Sequence, residues 1–326
     1  MSRDHNFDTD TASNSSSNSS SEDEDEVNRR ICPDWERHRE IIEQRGFHLD
    51  TVRDVKHFYE VYWGEEGTKH CAEYSRICNL PDDSALCKDP GLHDNLFRGR
   101  RVKDGTRIMV KAVHLRSREL DVTRFLSSPP LRSNTMNHCI PVLDLIEIRA
   151  HDMAFIVMEE WSSQLIPDAP CCLRLFLMAV RSCIEHIAFM HLHGIAHLDI
   201  SLRNLVTDYQ GHYACIDFEL SRRYGPLDRP RIQGVRGTEL PPELERGESS
   251  DPFKVDVWAL GAVIIKACQL TGYILPELII ITNSMLHEEQ RRRPAAMDVL
   301  KSFDKMITNI GDQQWHDCSK RTVHQV

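Results

Sequence analysis

An α+β fold is what this sequence predicts, and three segments carry the prediction. Leu173 to His193 reads as a helix: Leu175, Met178, Ile184, Ile187 and Met190 recur at helical spacing, and Gly194 is placed to end it. Beyond a polar loop, Leu205 to Val206 and Tyr213 to Ile216 read as two short strands joined by a turn around Asp208 to Gly211. Val255 to Leu270 is the most apolar stretch, but Asp256, Lys266 and Gln269 interrupt it, so it fits a buried helix better than a membrane span.

Ahead of these segments the chain divides by composition. Residues 1–30 hold the run SNSSSNSSSEDEDE, too poor in apolar groups to offset the entropy of folding, and read as a disordered arm. Ser19 to Ser21, followed by acidic residues, suit acidophilic phosphorylation; a plain solvating tail is the alternative. Residues 31–88 look partly helical, with Trp35, Ile41 and Ile42 before a break at Gly46, then Val52, Val55, Phe58, Tyr59 and Tyr62 near helical spacing. A chain of 326 residues suits one main domain with tails, the last of them residues 311–326.

Charge and cysteines narrow the function classes. The net charge is −10, and no basic stripe with aromatics argues for nucleic acid. Eleven cysteines are scattered, and Cys71, Cys78, Cys87, Cys171 and Cys172 form no CxxC pair, which fits reduced thiols rather than a metal or disulfide framework. The first residues are polar and acidic, without a signal-type apolar run. A soluble, intracellular monomer without membrane or nucleic-acid partners is expected, cytoplasmic or nuclear.

The chemistry concentrates in HLDISLRN, His197 to Asn204, and IDF, Ile216 to Phe218. Asp199 is followed five residues later by Asn204 and eighteen residues later by Asp217, which sits at a strand end where its side chain can be aimed into a cleft. Phosphoryl transfer from ATP needs one carboxylate to orient the attacking hydroxyl and oxygen ligands to hold Mg²⁺ on the phosphates. Asp199 suits the first role, and Asn204 and Asp217 the second. Taken alone, Asp and Asn here are also ordinary loop residues.

Further segments in order around this core resemble the protein kinase superfamily over roughly residues 90–305. IMVKAV, Ile108 to Val113, resembles the third strand of the small lobe and implies that Lys111 pairs with the ATP phosphates. SRELDVTRFL, Ser117 to Leu126, offers Glu119 as the partner of that lysine. FIVMEEW, Phe155 to Trp161, looks like the strand into the hinge, which implies adenine held by the backbone from Glu159 to Trp161 with Met158 lining the pocket. GTELPPE, Gly237 to Glu243, DVWALG, Asp256 to Gly261, and RRRP, Arg291 to Pro294, resemble the close of the activation segment, the buried central helix and the arginine that pairs with Glu243, here Arg293. The resemblance implies a two-lobed fold, a β-rich small lobe over residues 89–160 and a helical large lobe over 161–310, with ATP and Mg²⁺ as cofactors and a protein hydroxyl as substrate. Residues 31–88, with FLSSP at Phe125 to Pro129 and NHCIP at Asn137 to Pro141, resemble kinase-like proteins found widely in fungi and imply an extension packed on the small lobe.

Departures from the family pattern carry content as well. Cys87 to Arg107 contains Gly91, Gly99 and Gly105 but no GxGxxG flap, and Gly105 after Asp104 reads as a hairpin turn. Glu119 follows Lys111 by only eight residues, so the loop between them must be very short. Leu198 replaces the arginine that binds an activation-segment phosphate, arguing against that mode of switching. Glu219 stands where a glycine usually follows Asp217 and Phe218, adding a third carboxylate. Ser201 and Arg203 leave open which hydroxyl is preferred. Asp256 to Arg293 spans 37 positions, fewer than usual, so a trimmed large lobe is expected. Two rival readings stay open: a pseudokinase scaffold, favoured by the missing flap, and a small-molecule kinase of the choline or aminoglycoside type, favoured by the acid-rich second motif.

Overall fold

The computed structural model describes residues 30–163 and 173–309 and has the two-lobed α+β architecture. The serine-rich arm, the Cys171 and Cys172 pair and the tail from residue 311 lie outside the described residues.

The small lobe is built on a five-stranded antiparallel sheet in the order β1-β2-β3-β5-β4. Its strands are β1 (Phe47–Leu49), β2 (Leu96–Arg101), β3 (Arg107–His114), β4 (Val142–Ile148) and β5 (Met153–Glu159). Period-two alternation splits the side chains between two cores. Ile108, Val110, Ala112, Phe97, Phe155 and Val157 pack on one face with Trp35 of α1 (Trp35–Gln44). Val113, Ala154 and Ile156 pack on the other with Leu120 of α4 (Arg118–Ser127). Asp34 caps α1, and the Trp35 ring lies 5.1 Å from Phe97 and 5.5 Å from Phe155 while its Nε1 donates to the Asp94 carbonyl at 3.1 Å.

The sheet begins earlier in the chain than residue 89. β1 pairs with β2 through Phe47 to Arg101, His48 to Arg100 and Leu49 to Gly99, so residues 47–49 are part of the small-lobe sheet and not of an added extension. Gly99 is required at this crossing, because a Cβ there would collide with the His48 carbonyl. Residues 50–95, the connection from β1 to β2, carry two helices, α2 (Val52–Lys69) and α3 (Ala72–Cys78). Thr51 and Asp54 form a reciprocal cap at the start of α2. The hairpin predicted at Gly105 joins β2 to β3, with that glycine at φ +75°.

In the large lobe α5 (Leu173–Leu192), α7 (Pro252–Thr271), α8 (Pro276–Met285) and α9 (Ala296–Asn309) share one core. Between them lie the short strands β6 (Ile195–Ala196), β7 (Leu205–Thr207), β8 (Tyr213–Cys215) and β9 (Arg222–Arg223) and the single turn α6 (Pro242–Glu245). α5 is long and apolar enough to cross a membrane by length and composition, yet Phe176, Leu177, Ile184, Ile187 and Met190 are buried in that core. The predicted buried helix at Val255 to Leu270 falls within α7, which Asp251 caps and Gly272 ends at φ +74°. Only α8 and a short 3₁₀ turn separate α7 from Arg293 among the described residues.

Candidate active site

Lys111 stands on β3 with its side chain buried, and its Nζ lies 2.7 Å from Glu119 Oε1 and 2.9 Å from Asp217 Oδ1. The short spacing to Glu119 works because only Leu115, Arg116 and Ser117 separate β3 from α4. Ser117 Oγ accepts from the Leu120 N–H at 3.2 Å, so the helix starts at once and presents Glu119 from its first turn.

Asp217 follows β8 with φ +66°, a left-handed conformation uncommon for residues with a side chain but tolerated by aspartate better than by most. The next residue, Phe218, is buried, its ring 5.3 Å from that of His197. Glu119, Asp217 and Glu219 each offer a carboxylate oxygen, all within 4.8 Å of one another. Arg30 lies 3.5 Å from Glu219.

Burial alone would lower the Lys111 pKa, but the carboxylates of Glu119 and Asp217 outweigh it and hold the ammonium well above its ordinary value. Burial raises Glu119 to about 7, with Asp217 and Glu219 adding to the rise and Lys111 opposing it. Burial also acts to raise Asp217, yet Lys111 prevails and keeps that carboxyl below its ordinary value.

Asp199 accepts from Asn204 Nδ2 at 2.9 Å through Oδ2, and from the Thr238 N–H and Oγ1 at 2.8 Å each through Oδ1. The same Asn204 Nδ2 donates to the Asp199 carbonyl at 2.9 Å, leaving Oδ1 of that amide for a cation. The Ile216 N–H donates to the Asn204 carbonyl at 3.0 Å, which joins the loop of Asp199 to the strand end of Asp217. Thr238 escaped the sequence reading, since GTELPPE pointed only to the end of the activation segment.

One fully buried carboxylate shapes the Asp199 loop. Asp256 accepts from the His197 N–H at 2.7 Å and the Leu198 N–H at 2.8 Å, and meets His191 Nε2 at 2.9 Å. Leu198 is thereby held at φ +66°. DVWALG identified the helix start but gave no sign of this role.

A cavity of about 270 Å³ between the lobes is lined by Lys111, Glu119, Met158, Glu159, Trp161 and Asp217. All the residues singled out for the nucleotide therefore face it except Asn204, which reaches the site through Ile216. Trp161 Nε1 donates to Glu159 Oε2 at 3.0 Å, fixing the ring beside the end of β5. Over the cavity lie Leu92, His93, Asn95 and Leu96, leading from the helical connection into β2, in place of a glycine-rich turn. A second cavity of about 780 Å³ lies across the hinge, lined by Phe58 and Tyr59 of α2, Ile77 of α3 and Tyr209, and it shares Arg98, Glu159, Glu160 and Trp161 with the first.

Away from the cleft, Arg293 donates through both terminal nitrogens to Glu243 at 2.7 Å, with both residues buried and the guanidinium 4.9 Å from the Trp258 ring centre. Burial works to raise Glu243, and Arg293 outweighs it. The pair ties the short helix α6 to the segment that precedes α9.

The comparisons with known proteins agree with this geometry. The family model described as protein kinase domain matches residues 173–275. The chain is 23% identical to cyclin-dependent kinase C-2 C of Arabidopsis thaliana over 53% of its length and 28% of that protein. It is 38% identical to CBL-interacting protein kinase 25 of Oryza sativa subsp. japonica over 25% of its length and 16% of that protein. With the serine/threonine-protein kinase crk1 of Schizosaccharomyces pombe it shares 22% identity over 56% of its length and 56% of that protein, so these matches span little more than half of a relative at most. The sheet order, the Lys111 to Glu119 pair, the matched domain and these relatives together support membership of the protein kinase superfamily.

Proposed function

We propose that the protein transfers the γ-phosphoryl group of ATP to a serine or threonine hydroxyl of a protein. The observation that carries this reading is one connected set of polar contacts: Glu119 to Lys111, Lys111 to Asp217, Ile216 to Asn204, and Asn204 to Asp199. Lys111 holds the phosphates, restrained by Glu119. Met158 lines the adenine end, and the backbone from Glu159 to Trp161 supplies its hydrogen bonds. Asp199, already oriented by Thr238 and Asn204, positions the attacking hydroxyl and takes its proton.

The donor set fits Mg²⁺: Asp217 and Asn204 offer oxygen ligands, with the Glu219 carboxylate nearby. When bound, the ion neutralises charge on the phosphates. Most of the rate then comes from positioning and electrostatic stabilisation by fixed groups. The serine/threonine assignment is supported by similarity to serine/threonine-protein kinases such as crk1.

The test is labelling of protein and peptide substrates by wild type, Asp199→Asn and Asp217→Asn side by side. Asp199→Asn is expected to abolish turnover and keep nucleotide binding, whereas Asp217→Asn weakens Mg²⁺-ATP binding itself. Unchanged activity in both variants overturns the assignment. The roof without a glycine-rich turn favours a scaffold without catalysis as the second reading; absence of any thermal stabilisation at millimolar ATP with Mg²⁺ would support it.

A further inference from the structure

Two exposed arginines adjoin the residues that bond Asp199, although the chain as a whole carries −10. Arg203 is exposed on the turn that ends in Asn204, directly before the amide that bonds Asp199. Arg236 is exposed two residues before Thr238, whose N–H and hydroxyl bond the same carboxylate. Gly237 between them fits against the catalytic loop, where a Cβ would come 2.5 Å from the Leu198 carbonyl. Arg229, on the same segment, is exposed as well. These three meet no carboxylate among the described residues, while Arg246, Arg292 and Arg293 of the same lobe are paired with Glu248, Glu289 and Glu243. The unpaired guanidinium groups of Arg203 and Arg236, next to Asn204 and close in sequence to Thr238, favour a peptide with carboxylates close to its hydroxyl.

The chain itself contains such a peptide. Ser19, Ser20 and Ser21 run directly into Glu22–Glu26 (EDEDE), and Arg30 follows nine residues after Ser21. Arg30 lines the cleft and contacts Glu219, two positions past Asp217. Nine residues reach about 30 Å at full extension.

We infer that the site selects hydroxyls followed by acidic residues, and that Ser19 to Ser21 of the same molecule are a substrate in cis; this rests on the phosphoryl-transfer reading above. In the step, a serine Oγ bonds to the γ-phosphorus as the bond from that phosphorus to the bridging oxygen of ADP breaks. The hydroxyl proton passes to Asp199 and ADP leaves.

The test uses the full chain with Mg²⁺-ATP, site mapping by mass spectrometry, and a pair of serine peptides, one with an acidic run after the serine and one with uncharged residues there. Label is expected on Ser19 to Ser21 at a rate per molecule that dilution does not change, and none in Asp199→Asn. The ratio of kcat/KM for the acidic over the uncharged peptide should fall about tenfold in the Arg203→Ala, Arg236→Ala double variant, the loss of charge-assisted contacts. Peptide turnover with an unchanged ratio, or arm labelling that slows on dilution, overturns this inference and leaves the proposed function standing. Absence of both peptide turnover and arm labelling overturns the two together.

Discussion

Lys111 and Glu119 meet at 2.7 Å although only eight positions separate them, because three residues suffice to turn β3 into α4. Burial dominates the titration of Glu119, while at Lys111 the neighbouring carboxylates outweigh it. With its carboxyl raised from 4.5 to about 7, Glu119 binds a proton more tightly in the folded chain than in the unfolded one. Its contribution to stability is therefore complete below pH 4.5 and is lost as the pH rises through about 7. Relative to Glu119→Gln, the nucleotide-free wild type should lose up to about 3 kcal/mol across that window. Denaturant unfolding at several pH values measures it, and a pH-independent difference would refute the assignment.

Asp256 accepts the backbone N–H groups of His197 and Leu198, in the loop that leads to Asp199, inside the core. Asp256→Ala leaves both donors buried without a partner, so a destabilisation of about 3 kcal/mol or more is expected, with turnover falling alongside as Leu198 leaves its left-handed conformation. Urea unfolding and single-turnover kinetics on the same samples read the two effects. Wild-type stability in this variant would show that the loop is fixed from elsewhere.

Gly237→Ala tests the contact between the segment carrying Thr238 and the loop carrying Asp199. The added methyl meets the Leu198 carbonyl at 2.5 Å, so the backbone must move and carry Thr238 away from Asp199. A fall in kcat of about tenfold or more is expected, with ATP affinity retained, from misplacement of the acceptor site. Equal loss of ATP affinity would point to wider disruption.

The Glu243 and Arg293 pair is enclosed on both sides. Arg293→Met should cost about 3–5 kcal/mol by leaving Glu243 buried without its partner. Adding Glu243→Gln should recover part of that loss, and a double-mutant cycle in urea supplies the coupling energy. Additive losses would mean that the two side chains act independently.

Periodicity made the long elements legible: Leu173 to His193 and Val255 to Leu270 lie where the large-lobe helices stand, because one-sided burial writes itself into the spacing of apolar residues. The residues expected around the cleft were legible through motifs, and Lys111, Glu119, Met158, Glu159, Trp161 and Asp217 do line one cavity. β1 was not legible: three residues between helical segments carry too little pattern, and their pairing partner lies some fifty positions downstream. For the same reason the small-lobe sheet was expected to start near residue 89 rather than at Phe47. The roles of Thr238 and Asp256 depend on contacts across long sequence separations, which neither composition nor spacing encodes.

The helical connection between β1 and β2 bears on inhibitor chemistry. A compound seated in the cleft between the lobes and extended past Trp161 would enter the space bounded by Phe58, Tyr59 and Ile77. A bare glycine-rich turn offers no aromatic wall of this kind. Ligands built to reach it would discriminate this protein from relatives whose first two strands are joined by a short loop, without relying on the shape of the adenine pocket.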